Sequence, residues 1–172
     1  MREMKKLAIF TVALSLTVGS IYASPAAEKN PYGISTVDPA GPNEIIFTVS
    51  KGGKKTEFAT ARIQKMKSKT ISIYEPFLKK RQTFTVIPLK SFFSLVGISG
   101  QDKVATIALN DYIYSNTAAQ FTSAGAYIAI KRNGLDIPYD QGGPLRLIFA
   151  DDSKWAKNLD AWNWSLAAIR VK

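Results

Sequence analysis

The chain has 172 residues, with 23 Lys and Arg against 13 Asp and Glu for a net charge of +10, and it contains neither cysteine nor histidine. Those two zeros exclude disulfides, thiolate nucleophiles, thiolate-bound metals and iron–sulfur clusters, together with Ser-His-Asp triads and imidazole metal ligands. An apolar fraction of 46% excludes wholesale disorder.

Residues 1–23 have the layout of a secretory signal peptide. Arg2, Lys5 and Lys6 form a positive start, Leu7 to Val18 is a run of apolar and hydroxyl residues, and Ile21-Tyr22-Ala23 offers a cleavage site before Ser24. The run is too short to cross roughly 30 Å of hydrocarbon. No cysteine follows for a lipid anchor, and no Arg-Arg pair marks twin-arginine export. An exported domain without cysteine fits a bacterial periplasm, so the expected localisation is periplasmic. The mature chain then has 149 residues with 20 basic and 12 acidic side chains, a net charge of +8. That is one ordinary domain, able to bury about two thirds of its unfolded surface without staples.

Residues 24–43 are rich in Pro and Gly and read as an extended leader, and residues 44–172 as a single domain. Within it the apolar period is mostly two. Glu44 to Ser50 is a β-rich run, Gly52-Gly53 a turn, and Thr56 to Arg62 a second strand. Lys69 to Glu75 alternates with Ile71 and Ile73 on one face and stops at Pro76, and Thr83 to Ile87 is another short strand. Pro88 suits the first position of a helix carrying Leu89, Phe92, Phe93, Leu95 and Val96, ended by Gly97. Lys103 to Leu109 is a strand that Asp111 to Ser115 continues or pairs with, followed by a short helix within 116–123. Tyr127 to Lys131 ends at the turn signal Asn133-Gly134. Leu145 to Phe149 and Trp164 to Val171 complete the strands. The expected class is α+β, a mixed and mainly β architecture.

The basicity is concentrated. Lys51 to Lys90 holds eleven basic and two acidic residues, net +9, whereas the rest of the mature chain is net −1. Lys54, Lys55, Lys65, Lys67, Lys69, Lys79, Lys80 and Arg81 are candidates for a patch that meets an anionic membrane surface or an acidic protein. The alternative is a solvated face that keeps the protein soluble. No nucleic-acid motif accompanies the charge, so nucleic acid is not an expected partner. The chain also lacks GxSxG, SxxK, GxxxxGK[ST] and HExxH. Asp102, Asp111, Asp136, Asp140, Asp151, Asp152 and Asp160 sit beside turn signals and are expected to serve turns and caps.

Five segments carry a pattern: IPLKSFFSLVG (87–97), VATIALNDY (104–112), AIKRNGLDI (129–137), QGGPLRLIF (141–149) and WNWSLAAIRV (162–171). In order and spacing they resemble the molybdopterin-binding domain of the sulfite-oxidase-like oxidoreductases, in particular its small secreted stand-alone forms. The resemblance implies a β-rich α+β fold whose loops surround a pterin pocket. Its active-site tyrosine falls on Tyr112 and its pocket arginine on Arg146, with Gln141 where a histidine is common. Asn110, Arg132, Gly142, Gly143 and Trp164 complete the candidate pocket. A Gly-Gly-Pro turn can bring backbone amides close to a ligand, and an arginine beyond it can fork onto a phosphate. The family binds molybdenum through a cysteine thiolate, for which no residue here is a substitute in kind. The lysine that precedes the family's last tryptophan is Asn163 if Trp164 is the match. No catalytic residue, metal ligand or cofactor is therefore expected, and molybdopterin enters only through the resemblance. The expected role is non-catalytic: a small molecule in the inherited pocket, or docking on a periplasmic or membrane-receptor protein. The alternative is an oxidoreductase with an oxygen-ligated molybdopterin centre.

Overall fold

The computed structural model of the chain describes residues 34–172. The expected signal peptide and residues 24–33 of the leader lie outside the described residues.

Two hairpins follow from local turn chemistry. Strands β1 (Ile45–Lys51) and β2 (Lys54–Ala59) are joined by Gly52 and Gly53 at φ +55° and +75°. Strand β7 (Ala126–Arg132) turns into β8 (Leu135–Asp136) through Asn133 and Gly134 at φ +49° and +80°. Two consecutive positive φ values match the right-handed twist of the strands they connect, which is why these dipeptides are used.

The remaining elements are α1 (Thr60–Gln64), β3 (Lys69–Glu75), β4 (Lys80–Pro88), α2 (Leu89–Leu95), β5 (Lys103–Ala108), β6 (Ile113–Thr117), α3 (Ala118–Ser123), β9 (Arg146–Phe149) and β10 (Leu166–Val171). Single 3-10 turns occur at Tyr139–Gln141 and Leu159–Ala161. The result is a β-rich α+β domain.

One sheet has the order β2-β1-β10-β5-β6. Its last strand in sequence is inserted at the centre, parallel to β1 (Thr48 opposite Ala168) and antiparallel to β5. The other sheet runs β3-β4-β7, with β8 and β9 both paired to β7. The sheets are tied where Leu147 of β9 meets Asn163, just before β10: each amide donates to the other residue's carbonyl, at 2.8 and 3.3 Å. Phe47, Phe58 and Phe92 form an aromatic triplet with ring centres 5.4 to 6.1 Å apart. Phe93, Phe121, Tyr114, Trp155 and Phe149 continue the core edge-to-face.

Two expectations are corrected, and one strand face carries an unanticipated residue. The second strand ends at Ala59 rather than Arg62, because the amides of Thr60 and Ala61 turn onto the carbonyls of Glu44 and Pro42 and start α1. Pro88 closes β4 and stands just before the helix, and Leu95 is 63% exposed on the far side of α2 from the core. In β3 the face that begins with Ile71 and Ile73 goes on to bury Glu75 completely.

The loop between β8 and β9 is the tightest part of the fold. Gly143 precedes Pro144 in a cis peptide, and its amide donates to the carbonyl of Pro138 at 2.9 Å. A Cβ at 143 would stand 1.8 Å from the carbonyl oxygen of Ile137, so only glycine fits. Gly41, by contrast, has open space around it. Gly143→Ala should lower the unfolding free energy by about 3 kcal/mol or more, and Gly41→Ala by less than about 0.5 kcal/mol, in urea melts of the two variants. Equal effects would refute the steric account.

Candidate functional site

Gly142 reverses the chain at φ +76° and leaves room for what lies above it. A Cβ there would be 2.9 Å from both Nη2 of Arg146 and Cε3 of Trp164. Arg146, the first residue of β9, is completely buried. Its Nε donates to the carbonyl of Gly142 at 3.2 Å, and its Nη2 donates to the carbonyl of Gln141. Its guanidinium carbon stands 4.1 Å from the centre of the Trp164 ring, a cation–π stack. Arg132, at the end of β7, is also buried and donates to the side-chain oxygen of Gln141.

Glu75 is the buried carboxylate of this region. It accepts from the amide of Leu78 at 2.6 Å, while its Oε1 has no hydrogen-bond partner among the described residues. Burial pushes the Glu75 carboxyl above its ordinary range; the Leu78 amide and the charges of Arg146 and Arg132 pull the other way but do not prevail.

The Gly-Gly-Pro turn does not turn its amides outward as a ligand cradle would require. The amide of Gly142 donates to Tyr139 at 3.3 Å and that of Gly143 to Pro138, so both are used inside the loop. The physical reason is burial: a loop packed this tightly must satisfy its own backbone groups.

Tyr112, Asn110 and Trp164 come together with Phe77, Ala108, Leu159, Asp160 and Trp162 around an open groove of about 330 Å³. The turn after β5 is held by the side-chain oxygen of Asn110, which accepts from the amide of Tyr112 at 3.3 Å, and by Asp111 at φ +65°. The Tyr112 hydroxyl donates to the carbonyl of Asp160 at 2.7 Å. Partial burial raises the Tyr112 pKa, with the nearby Asp160 charge a smaller cause. Phe77 stands edge-on to Trp164 at 4.9 Å and to Trp162 at 6.4 Å. Phe77 and Leu159 were not anticipated, because an aromatic beyond the end of a strand and a leucine in a lysine-bearing loop carry no periodic signal.

Arg132 and Gln141 line a different cleft of about 440 Å³, together with Ser35, Pro39, Asn133 and Pro138. Ser35 and Thr36 reach its rim by donating to the carboxylate of Asp140 at 2.7 and 3.0 Å. The candidate pocket residues therefore divide into an aromatic groove, a second cleft and the buried Arg146 between Gly142 and Trp164.

The basic stretch also divides. All eight candidate side chains are exposed. In the β3–β4 hairpin, however, Lys69 lies opposite Val86 at one end, and Lys80 lies opposite Glu75 at the other. Six residues of strand separate them by roughly 20 Å. Lys54 and Lys55 belong to the other sheet. Arg81 pairs with Asp151 at 2.8 Å, Lys55 with Glu57 at 2.9 Å, and Lys69 donates to the Tyr127 hydroxyl at 3.1 Å. A run that is contiguous in sequence is not one continuous patch. Asp102 accepts from the amide of Ser99, three residues before it, as a turn-stabilising acid does, whereas Asp140 and Asp151 accept from the amides of Thr36 and Tyr74, distant in the chain, and tie separate segments together.

Among the described residues, no three Asp, Glu, His or Cys side chains gather as metal ligands. A chain without thiolate does not fit a molybdenum centre of the sulfur-ligated kind, and the groove offers phenyl, indole, phenol, amide and carboxylate groups instead.

No family model matches the chain, and no curated protein matches it in sequence. Among solved structures it is similar to the sulfane dehydrogenase SoxCD from Paracoccus pantotrophus, with a TM-score of 0.58 and 10% identity over 90% of this chain and 49% of that one. It thus spans about half the length of that protein, and the likeness is a distant one of fold.

Glu75 yields a test of the buried cluster. Its folded pKa lies above the ordinary 4.5, so the folded state binds the proton more tightly. The stability this contributes is complete below pH 4.5 and is lost as pH rises through the folded value. In urea melts across pH, Glu75→Gln should therefore gain stability relative to the native chain as pH climbs above 4.5. A difference that stays constant with pH would refute the assignment.

Proposed function

We propose that this chain is an exported, non-catalytic binding domain that holds a small molecule in the groove between Phe77, Tyr112, Trp162 and Trp164. The observation that carries the reading is the groove itself. Three stretches distant in sequence, around residues 77, 108–112 and 159–164, converge there on one open aromatic surface. Its volume of about 330 Å³ suits a ligand of modest size, at the lower end of small-molecule sites, which run from roughly 300 to 1,000 Å³. Phe77, Tyr112 and Leu159 are 47, 40 and 46% exposed, so part of each side chain is open to a ligand at the groove.

The resemblance to sulfite-oxidase-like domains, together with the distant likeness to a sulfane dehydrogenase, supports descent from a redox fold. The residues support loss of that chemistry. The chain has no cysteine to ligate molybdenum and no histidine at the position held by Gln141. In this reading the protein works in the periplasm after cleavage at Ala23, and the aromatic groove replaces a redox centre as the working feature. Docking on a periplasmic or membrane-receptor protein would then follow occupancy of the groove.

Native mass spectrometry combined with metal analysis, on protein isolated from its own periplasm, tests this directly. The expected result is a chain that starts at Ser24, carries one small non-covalent adduct and holds molybdenum far below one atom per chain. Stoichiometric molybdenum with a pterin that fluoresces after oxidation would overturn the reading in favour of an oxidoreductase. A chain that carries nothing, and retains nothing from periplasmic extract, would also overturn it.

A further inference from the structure

We propose that the ligand of the aromatic groove is a small organic cation of the trimethylammonium type. The inference rests on the small-molecule reading above and gives the ligand its chemistry.

The argument is the sign of the charge in the groove. Its lining contains four aromatic rings, one amide (Asn110) and one carboxylate (Asp160), and no lysine or arginine. The cations nearest in sequence, Lys79 and Lys157, are not among the residues that line it. The face of an aromatic ring is the negative end of its quadrupole, so ring faces and a carboxylate attract the same ligand. An anion would meet repulsion from both. A neutral ligand would gain only from burial. A diffuse cation gains from burial and from charge together, by about 2- to 30-fold in affinity for each ring it contacts.

The rings also have the right arrangement. Phe77 is set edge-to-face against Trp164 at 68° and against Trp162 at 76°, so it stands steeply to both indoles and continues a flat platform with neither. A rounded methylated ammonium touches several such rings at once, whereas a planar ligand stacks on one. Tyr112 lines the same groove, and its hydroxyl is held by the hydrogen bond to the Asp160 carbonyl. Arg146 is the guanidinium stacked on Trp164. It is completely buried against Trp164 and donates to the carbonyls of Gln141 and Gly142, so it occupies one face of that ring and directs its donors into the protein. Phe77 and Tyr112, rather than Trp164, therefore supply most of the attraction.

Tryptophan fluorescence of the mature protein provides the readout. The titrants are choline, tetramethylammonium, the neutral choline isostere 3,3-dimethyl-1-butanol and inorganic phosphate. Choline and tetramethylammonium should bind at least tenfold more tightly than the isostere, and phosphate should not bind. Phe77→Leu and Asp160→Asn, both at exposed positions, should each weaken choline several-fold. Asp160→Asn should leave the isostere unchanged. If the isostere binds as well as choline, or phosphate binds instead, the cation assignment fails while the small-molecule reading stands. If none of the four binds and the adduct seen by mass spectrometry is neutral or anionic, the assignment likewise fails alone. No binding together with no adduct would overturn both.

Discussion

The placement of one guanidinium organises the region around the aromatic groove of this domain. Arg146 is buried without access to solvent, and a charge in that position is tolerated only with close, well-directed partners. Its neighbours satisfy that demand in distinct ways: the carbonyls of residues 141 and 142 accept its protons, Trp164 offers a ring face, and Glu75 contributes a carboxyl nearby. Each requirement restricts another part of the chain. Position 142 must lack a side chain because the guanidinium and indole lie over it. Trp164 must stay where Arg146 holds it, and Trp164 is a wall of the groove. The buried charge thus sets the shape of the surface that a ligand would meet.

The topology explains why the groove lies where it does. The last strand of the chain enters the centre of one sheet, parallel to the first strand, and the residues leading into it pair with β9 of the other sheet. That lead-in, 159–164, is therefore trapped between sheets. On one side it meets the turn between β5 and β6, which supplies Asn110 and Tyr112, and on the other the loop of the β3–β4 hairpin, which supplies Phe77. None of these loops could build the site alone. The arrangement keeps the guanidinium and its hydrogen bonds behind Trp164, and leaves ring surface together with Asn110 and Asp160 in front of it.

Much of the backbone was legible from short-range signals, and the failures share one cause. The Gly-Gly and Asn-Gly turns, the alternation in β3, and the helix after Pro88 are read within windows of a few residues, where steric limits on φ and side-chain period operate. Tyr112 and Trp164 were identified and do share a groove. The burial of Glu75 was not anticipated, because the alternation of a strand says which face a residue shares but not what covers that face at its end. The start of α1 was missed because its first amides are satisfied by the carbonyls of Glu44 and Pro42, which no local window contains. The Gly-Gly-Pro turn was read as a cradle, whereas its glycines are there to make room for Arg146 and for the carbonyl of Ile137.

By itself the sequence determined which chemistries are closed to this protein, since a residue type absent from the chain cannot be restored by folding. It also determined the turns and most strands, whose preferences are local. Only the tertiary structure decided how side chains far apart in the chain are grouped. It divided the single basic stretch across two sheets and the two ends of a hairpin, because antiparallel pairing sends the ends of a strand to opposite sides. It divided the candidate pocket in the same way, placing Arg132 and Gln141 at one cleft and Tyr112 and Trp164 at another. The physical reason is that proximity and burial come from strand pairings across the chain, from the β3–β4 hairpin to Val49 with Ile169, 120 positions apart. No window of sequence carries that information.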